Sequence, residues 1–250
     1  VPTELQRCSA SFNGMIARLG EGFSAQRQFT GNAAHELRTP LALMQAQIEL
    51  FISEHSGLQP ETAELLGLLQ EQTERMSRMT KALLEMSELR SVPCGDAVEL
   101  GPLSEEVLTD LAPLAEDKDI TLDCAGDALA IGSDTLLYRL VFNLVENAIR
   151  YSRSRSTVNV SISDSDSHGF LRVEDRGPGI PKQYRESIFQ PFFRLDKSRS
   201  RAYGGAGLGL ALVWEIAVLH GGTVEVEASS ENGTTMPVSL PKRSAALTEQ

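Results

Sequence analysis

Residues 32–43 read NAAHELRTPLAL, and the helical periodicity around them decides the architecture. At 100° per residue, Ala33, Leu37, Met44 and Ile48 lie about 180° round the helix from His35. The imidazole therefore points away from the apolar seam, toward solvent. A core histidine would share the seam's phase; this one does not. Neutral imidazole is a good nucleophile near neutral pH, and an outward ring can be reached by an outside group. Glu36 beside it can accept a proton or orient the ring, and Thr39 brings a hydroxyl to the same side one turn on. Pro40 removes one helical donor and is expected to bend the helix.

The pattern extends over about 23–54, with Phe29, Ala33, Leu37, Leu41, Met44, Ile48 and Phe51 forming the stripe. Ser56, Gly57 and Pro60 mark a turn. A further helix is predicted over 61–90, where Leu65, Leu69, Gln72, Met76, Met79, Leu83 and Met86 alternate at four and three. Two such helices make a hairpin, which cannot enclose a core alone. Two hairpins together would bury both seams in a four-helix bundle. Upstream, Leu5, Cys8, Phe12, Met15 and Leu19 give another heptad-spaced helix, closed by Gly20 and Gly22.

The texture changes after Ser91-Val92-Pro93. Pro93, Gly95, Gly101 and Pro102 predict a linker or entry loop. Beyond it, helices are predicted at 103–117, 133–151 and 207–219. Strands are predicted at 120–124, 128–131, 157–163, 170–175, 223–228 and 234–240. This is an α+β domain.

Composition sets bounds. The 250 residues carry 23 Lys+Arg against 34 Asp+Glu, a formal charge of -11, which argues against a nucleic-acid binder. Hydrophobic residues at 41% indicate a folded chain. Cys8, Cys94 and Cys124 lie far apart without metal or disulfide spacing. No stretch reaches the roughly 18 apolar residues of a membrane span. The chain begins at Val1, so it is expected to be a fragment.

Three further strings carry chemistry. In LVFNLVENAIRYS (140–152), Asn143 and Asn147 share a helical face, and an amide oxygen is a suitable hard ligand for Mg²⁺. Without context, the pair reads first as polar surface. In VEDRGPGIP (173–181), Asp175 ends a strand before Gly177 and Gly179; its carboxylate can accept from an exocyclic amine such as that of adenine. In GGAGLGL (204–210), glycines open a helix whose N-terminal amides suit phosphate. The string lacks a P-loop's Lys-Ser/Thr, and it does not follow a strand as a dinucleotide fingerprint does. Between the last two strings, Arg194, Lys197, Arg199 and Arg201 form a basic cluster in a long loop that reads as a mobile lid.

Together, in order and spacing, these strings resemble the sensor histidine kinases of two-component systems, over about residues 22–241. The resemblance implies a helical hairpin forming a dimeric four-helix bundle, followed by an α/β sandwich that binds ATP. It implies an end of a HAMP-like relay at 1–20, a dimerisation and phosphotransfer hairpin at 21–91, an ATP-binding domain at 97–243 and a tail at 244–250. His35 would be phosphorylated, with Glu36 as acid/base neighbour and Thr39 orienting water when the same protein dephosphorylates its partner. Asn147 would hold Mg²⁺ and Asn143 would support the phosphates. Arg150 and Tyr151 would contact phosphate and the nucleotide surface. Asp175 would read adenine, with Gly177 and Gly179 allowing its approach. Phe189, Phe192 and Phe193 would anchor the lid, by packing or by nucleotide contact; Arg194 would reach the transferring phosphoryl group; Lys197 would belong to the nucleotide site; Gly205, Gly207, Leu208 and Gly209 would form the cradle. Implied partners are a second copy and a response-regulator receiver, and the parent would be anchored in a bacterial inner membrane with this portion in the cytoplasm.

Related ATPases place a Glu where this chain has Asn143. Asn cannot act as a general base, so transfer to a nucleophile is favoured over fast hydrolysis; Glu146, about 300° round, remains a rival base. Three alternatives stay open: a docking module that retains an ATP site, an ATPase or chaperone-like member of the wider superfamily, and a protein in which phosphatase activity dominates.

Overall fold

A computed structural model describes residues 31–55, 57, 59–195 and 207–242. The heptads at 5–19, Lys197 and Gly205 lie outside the described residues. The chain divides into two compact units, Val1–Glu88 and Leu89–Gln250.

In the first unit, helix α1 covers 31–54 and runs through Pro40 without interruption. Helix α2 spans Pro60–Glu88. The hairpin forms as expected, but its inner seam does not follow the apolar stripes. On α1 the buried positions are Gly31, Ala34 and Leu41, while Leu37, Met44 and Phe51 are exposed. On α2 the buried positions are Thr73, Thr80 and Leu84, while Leu65, Leu69 and Met76 are exposed. The packed face is therefore one residue out of phase with the predicted one on α2. Small residues allow this. A Cβ on Gly31 would lie 2.7 Å from Ser87 Oγ, so the helices approach closely at that end. The buried hydroxyls of Thr73 and Thr80 and the half-buried one of Ser87 satisfy themselves on their own helix: Thr73 donates to Leu69 O at 2.7 Å, Thr80 to Met76 O at 2.6 Å and Ser87 to Leu84 O at 2.8 Å. Their burial therefore leaves no orphan donor.

In the second unit, 92–95 carries neither helix nor strand, while Gly101 and Pro102 of the expected linker lie in a helix. Strand β1 (Asp96–Glu99) pairs antiparallel with β3 (Leu129–Gly132), Asp96 opposite Gly132. Helix α3 (Leu100–Glu116) starts three residues earlier than the sequence suggests. The cause is a distant cap: Asp127 Oδ1 accepts from Gly101 N at 2.8 Å and from Ala128 N at 2.8 Å. Free amides at a helix start need such an acceptor, and here it comes from outside the local sequence.

Strand β2 (Thr121–Ala125) pairs parallel with β4 (Thr157–Asp164). Strand β4 turns back into β5 (His168–Glu174), which pairs with β8 (Gly233–Pro241). The predicted strand 223–228 is instead two short pieces, β6 (Thr223–Val224) and β7 (Ala228–Ser230), both on β8. The main sheet runs β2-β4-β5-β8-β6. Alternate residues point inward: Val158, Val160 and Ile162 on β4, Leu171 and Val173 on β5, Met236, Val238 and Leu240 on β8.

Helix α4 (Asp134–Tyr151) and helix α5 (Gly209–Leu219) complete the other layer. α4 buries Leu136, Leu137, Leu140, Val141, Leu144, Val145, Ala148 and Ile149. Each large aliphatic side chain so buried is worth about 1.5–3 kcal/mol. That stripe fixes the rotation of α4 and leaves Asn143 and Asn147 on its remaining face.

Candidate functional site

His35 stands on α1 with its side chain 56% exposed; the adjacent Ala34 is 1% exposed and fills the seam. Glu36 and Thr39 are exposed as well. The outward imidazole of the sequence analysis is therefore observed, although the seam opposite it is built from other residues.

In the second unit, α4 and the start of α5 meet through one glycine. A Cβ on Gly209 would lie 2.8 Å from Asn143 Oδ1 and 3.8 Å from Asn147 Nδ2. The N-terminus of α5 thus abuts both amides, and a side chain there would push into that of Asn143. Asn143 Nδ2 donates to Arg139 O at 2.7 Å, which fixes the amide with its oxygen toward Gly209. Gly207 has φ 73, in the left-handed region, and Leu208 is the N-cap with its side chain buried. Leu208 therefore offers backbone rather than side chain to a ligand. Phe192, with φ 66, donates its N–H to Gly207 O at 2.8 Å, closing the neck of the intervening loop.

Asp175 follows β5. Its Oδ1 accepts from Gly177 N at 2.7 Å and from Thr234 N at 3.1 Å. Among the described residues, Oδ2 carries no hydrogen bond. Burial pushes the Asp175 carboxyl above the usual carboxylate range, while the two amides and the Arg176 charge pull it back. Gly177 is needed because a Cβ would lie 2.9 Å from Tyr151 O; Gly179, at φ 76, would meet Ser230 O at 2.1 Å. Thr234 was missed in the sequence. It is 4% exposed, and its hydroxyl lies 3.0 Å from Ser229 Oγ, which accepts from Ile180 N at 2.6 Å. No spacing rule connects it to Asp175, 59 residues earlier. The string Gly-Thr opening β8 was the available signal, and alone it reads as a turn.

At the end of α4, Arg150 Nη2 donates to Glu146 Oε1 at 2.7 Å. Glu146 is thus occupied by a cation, which weakens its candidacy as a base. Tyr151 is half exposed beside the Gly177 loop. Lys118, absent from the sequence argument, donates from Nζ to Ile149 O at 2.9 Å and Arg150 O at 2.6 Å. It caps the carboxyl end of α4 and complements the negative pole of the helix. Burial and the Arg150 charge lower its pKa. Among the described residues, no group of three or more His, Cys, Asp or Glu could hold a metal ion. A divalent cation would fit here only if shared between an amide oxygen and a ligand's own oxygens.

Two family models match the chain. Residues 25–92 match the His Kinase A (phospho-acceptor) domain, and residues 132–244 match the histidine kinase-, DNA gyrase B- and HSP90-like ATPase domain. Sensor histidine kinase RppB of Synechocystis is 35% identical over 88% of this chain and 50% of its own length. Sensor histidine kinase CusS of Escherichia coli K12 is 34% identical over 96% of this chain and 51% of its own. The chain thus spans about half the length of these relatives. Among solved structures, a mycobacterial sensor histidine kinase, MprB, is 30% identical with a TM-score of 0.52, covering 60% of this chain and 99% of that one. Full-length ShkA in complex with AMPPNP shares the fold, with a TM-score of 0.66 at 23% identity, over 88% of this chain and 47% of that one.

Proposed function

The chain belongs to the sensor histidine kinases of two-component systems, and we propose that it binds ATP in its second unit, phosphorylates His35 and passes the phosphoryl group to an aspartate of a response-regulator receiver. The observation that carries this reading is the Gly209 contact, which sets two amide side chains against a helix N-terminus. That junction offers hydrogen-bond donors and the positive pole of α5 to a polyphosphate.

In this reading Asp175 accepts the adenine amine on Oδ2, while Gly177 and Thr234 hold its other oxygen. Asn143 and the backbone of Gly207, Leu208 and Gly209 face the phosphates, with Arg150, Tyr151 and Arg194 at the rim; Gly205 and Lys197 carry the roles the sequence implies for them. Asn147 Oδ1 would hold Mg²⁺, which when bound neutralises phosphate charge and aligns the terminal group. Transfer needs positioning more than covalent help. His35 supplies the nucleophilic nitrogen, and Glu36 takes or returns the imidazole proton. Asn143 cannot activate water, so the site favours transfer over hydrolysis. Thr39 serves a separate hydrolytic reaction by orienting water at the receiver's phosphoaspartate, which releases inorganic phosphate.

The exposed apolar stripes of α1 and α2 support a homodimer through a four-helix bundle. Among the described residues no helix is long and apolar enough to cross a membrane. We place this portion in the cytoplasm below a membrane anchor belonging to the rest of the protein.

Incubation with γ-labelled ATP tests the reading. Wild type should acquire acid-labile label; His35→Gln should acquire none while still binding nucleotide, and Asn147→Ala should lose both. Phosphate release without labelled protein, indifferent to His35→Gln, would favour an ATPase.

A further inference from the structure

The transfer scheme leaves one charged neighbour of the nucleophile unused. Glu88 is the last residue of α2, and its Oε1 lies 3.6 Å from His35 Nε2. The close approach of Gly31 to Ser87 fixes the register at this end of the hairpin, so the pairing follows from the packing of the helices. Both side chains face solvent, 56% and 63% exposed. The carboxylate therefore stands at the ring nitrogen farthest from the backbone, the one most open to a delivered phosphoryl group.

We propose that Glu88 is a built-in brake on the reactivity of His35. The inference rests on His35 being the phosphoacceptor. Three effects act in the same direction. A carboxylate facing Nε2 favours the tautomer of the neutral ring with the proton on that nitrogen, which has no lone pair there to attack with. The negative charge also opposes the approach of the terminal phosphate. After transfer it lies against the phosphoryl group itself. In the forward step the Nε2 lone pair forms the N–P bond as the bond from phosphorus to the bridging oxygen breaks, its electron pair leaving on ADP; the proton on Nδ1 passes to a base. In spontaneous loss, water attacks phosphorus, the N–P electrons return to Nε2, and that nitrogen takes a proton from solvent. Glu88 disfavours the phosphorylated state at both ends, slowing its formation and shortening its life.

Exposed charge pairs act weakly and are screened by salt, so an effect of about two- to fivefold is expected. The test uses the full chain and its Glu88→Gln and Glu88→Ala variants with γ-labelled ATP at low and high salt. Both variants should label faster than wild type and keep the label longer after ATP is removed, with the gap narrowing at high salt. A merely structural role would lower labelling, because loosening the hairpin end disturbs His35. Rates and lifetimes at or below wild type in both variants, or a gap indifferent to salt, overturn the inference. Absence of label on wild type would overturn the underlying reading of His35, and the brake with it.

Discussion

Asp175 shows how one half-buried carboxylate sets function against stability. In the folded chain it holds its proton to higher pH than in the unfolded chain, because burial disfavours the charge. Its contribution to stability is therefore greatest below the unfolded pKa and declines as pH rises through the raised folded value. Asp175→Asn keeps an oxygen for the amides of Gly177 and Thr234 and removes the buried charge. The variant should melt at or above wild type at pH 8, with the difference shrinking toward pH 4. Its affinity for ATP should fall at least about tenfold, since a hydrogen bond to a charged acceptor is worth roughly 1.5–3 kcal/mol. Thermal melts across pH and a nucleotide titration check both parts. Asp175, Gly177 and Gly179 were legible as a string. Thr234 was not, because its link to Asp175 is a strand pairing, Glu174 opposite Thr235.

Among the elements, α5 is tied to the turn before α4 by a single ring. His220, 6% exposed, donates from Nδ1 to Ile216 O at 2.7 Å and accepts from Ser133 N at Nε2, 3.0 Å away. A Cβ on Gly132 would lie 2.3 Å from the ring, so glycine is required beside it. Burial lowers the pKa of His220 against the opposing pull of the Ile216 carbonyl, and the bond accepted at Nε2 needs the neutral ring. Folding is thus favoured above the unfolded pKa, and this stability is lost as pH falls from about 6.5 toward the lowered folded value. Wild type should show a falling melting temperature over that interval. His220→Gln should flatten that part of the profile at a cost of about 1–3 kcal/mol at pH 8. The sequence offered no sign of this link, since its partners lie 87 residues apart. Helix positions themselves were legible from periodicity; the starts of α3 and the split of β6 from β7 were not. A cap from Asp127 and a shared partner strand decided those.

At the scale of the whole molecule, the hairpin keeps its bulky apolar residues outside. Leu37, Met44 and Phe51 repeat every seven residues on α1, and Leu65, Leu69 and Met76 line α2. Covering them with a second copy would bury side chains worth about 1.5–3 kcal/mol each. Leu69→Glu should therefore raise the dimer dissociation constant at least about tenfold, read by sedimentation equilibrium, while helicity in the associated fraction stays unchanged. Periodicity revealed that such stripes exist. It did not reveal which helix face meets which partner, because two faces of one helix share the same 3.6-residue repeat. Thr73, Ser77, Thr80 and Ser87 gave no apolar signal, yet three of them take the inner seam by bonding their own backbone and letting the helices close up.

What the sequence determined alone was local. The histidine string, the paired asparagines and the two glycine strings are contiguous, and each side chain's chemistry is carried by its immediate neighbours. Tertiary structure alone decided the contacts between remote positions: Asp127 on α3, Lys118 on α4, Thr234 on Asp175 and Glu88 on His35. Such contacts leave no periodic mark in the chain. They come into being only when burial of the apolar faces has fixed the register of one element against another.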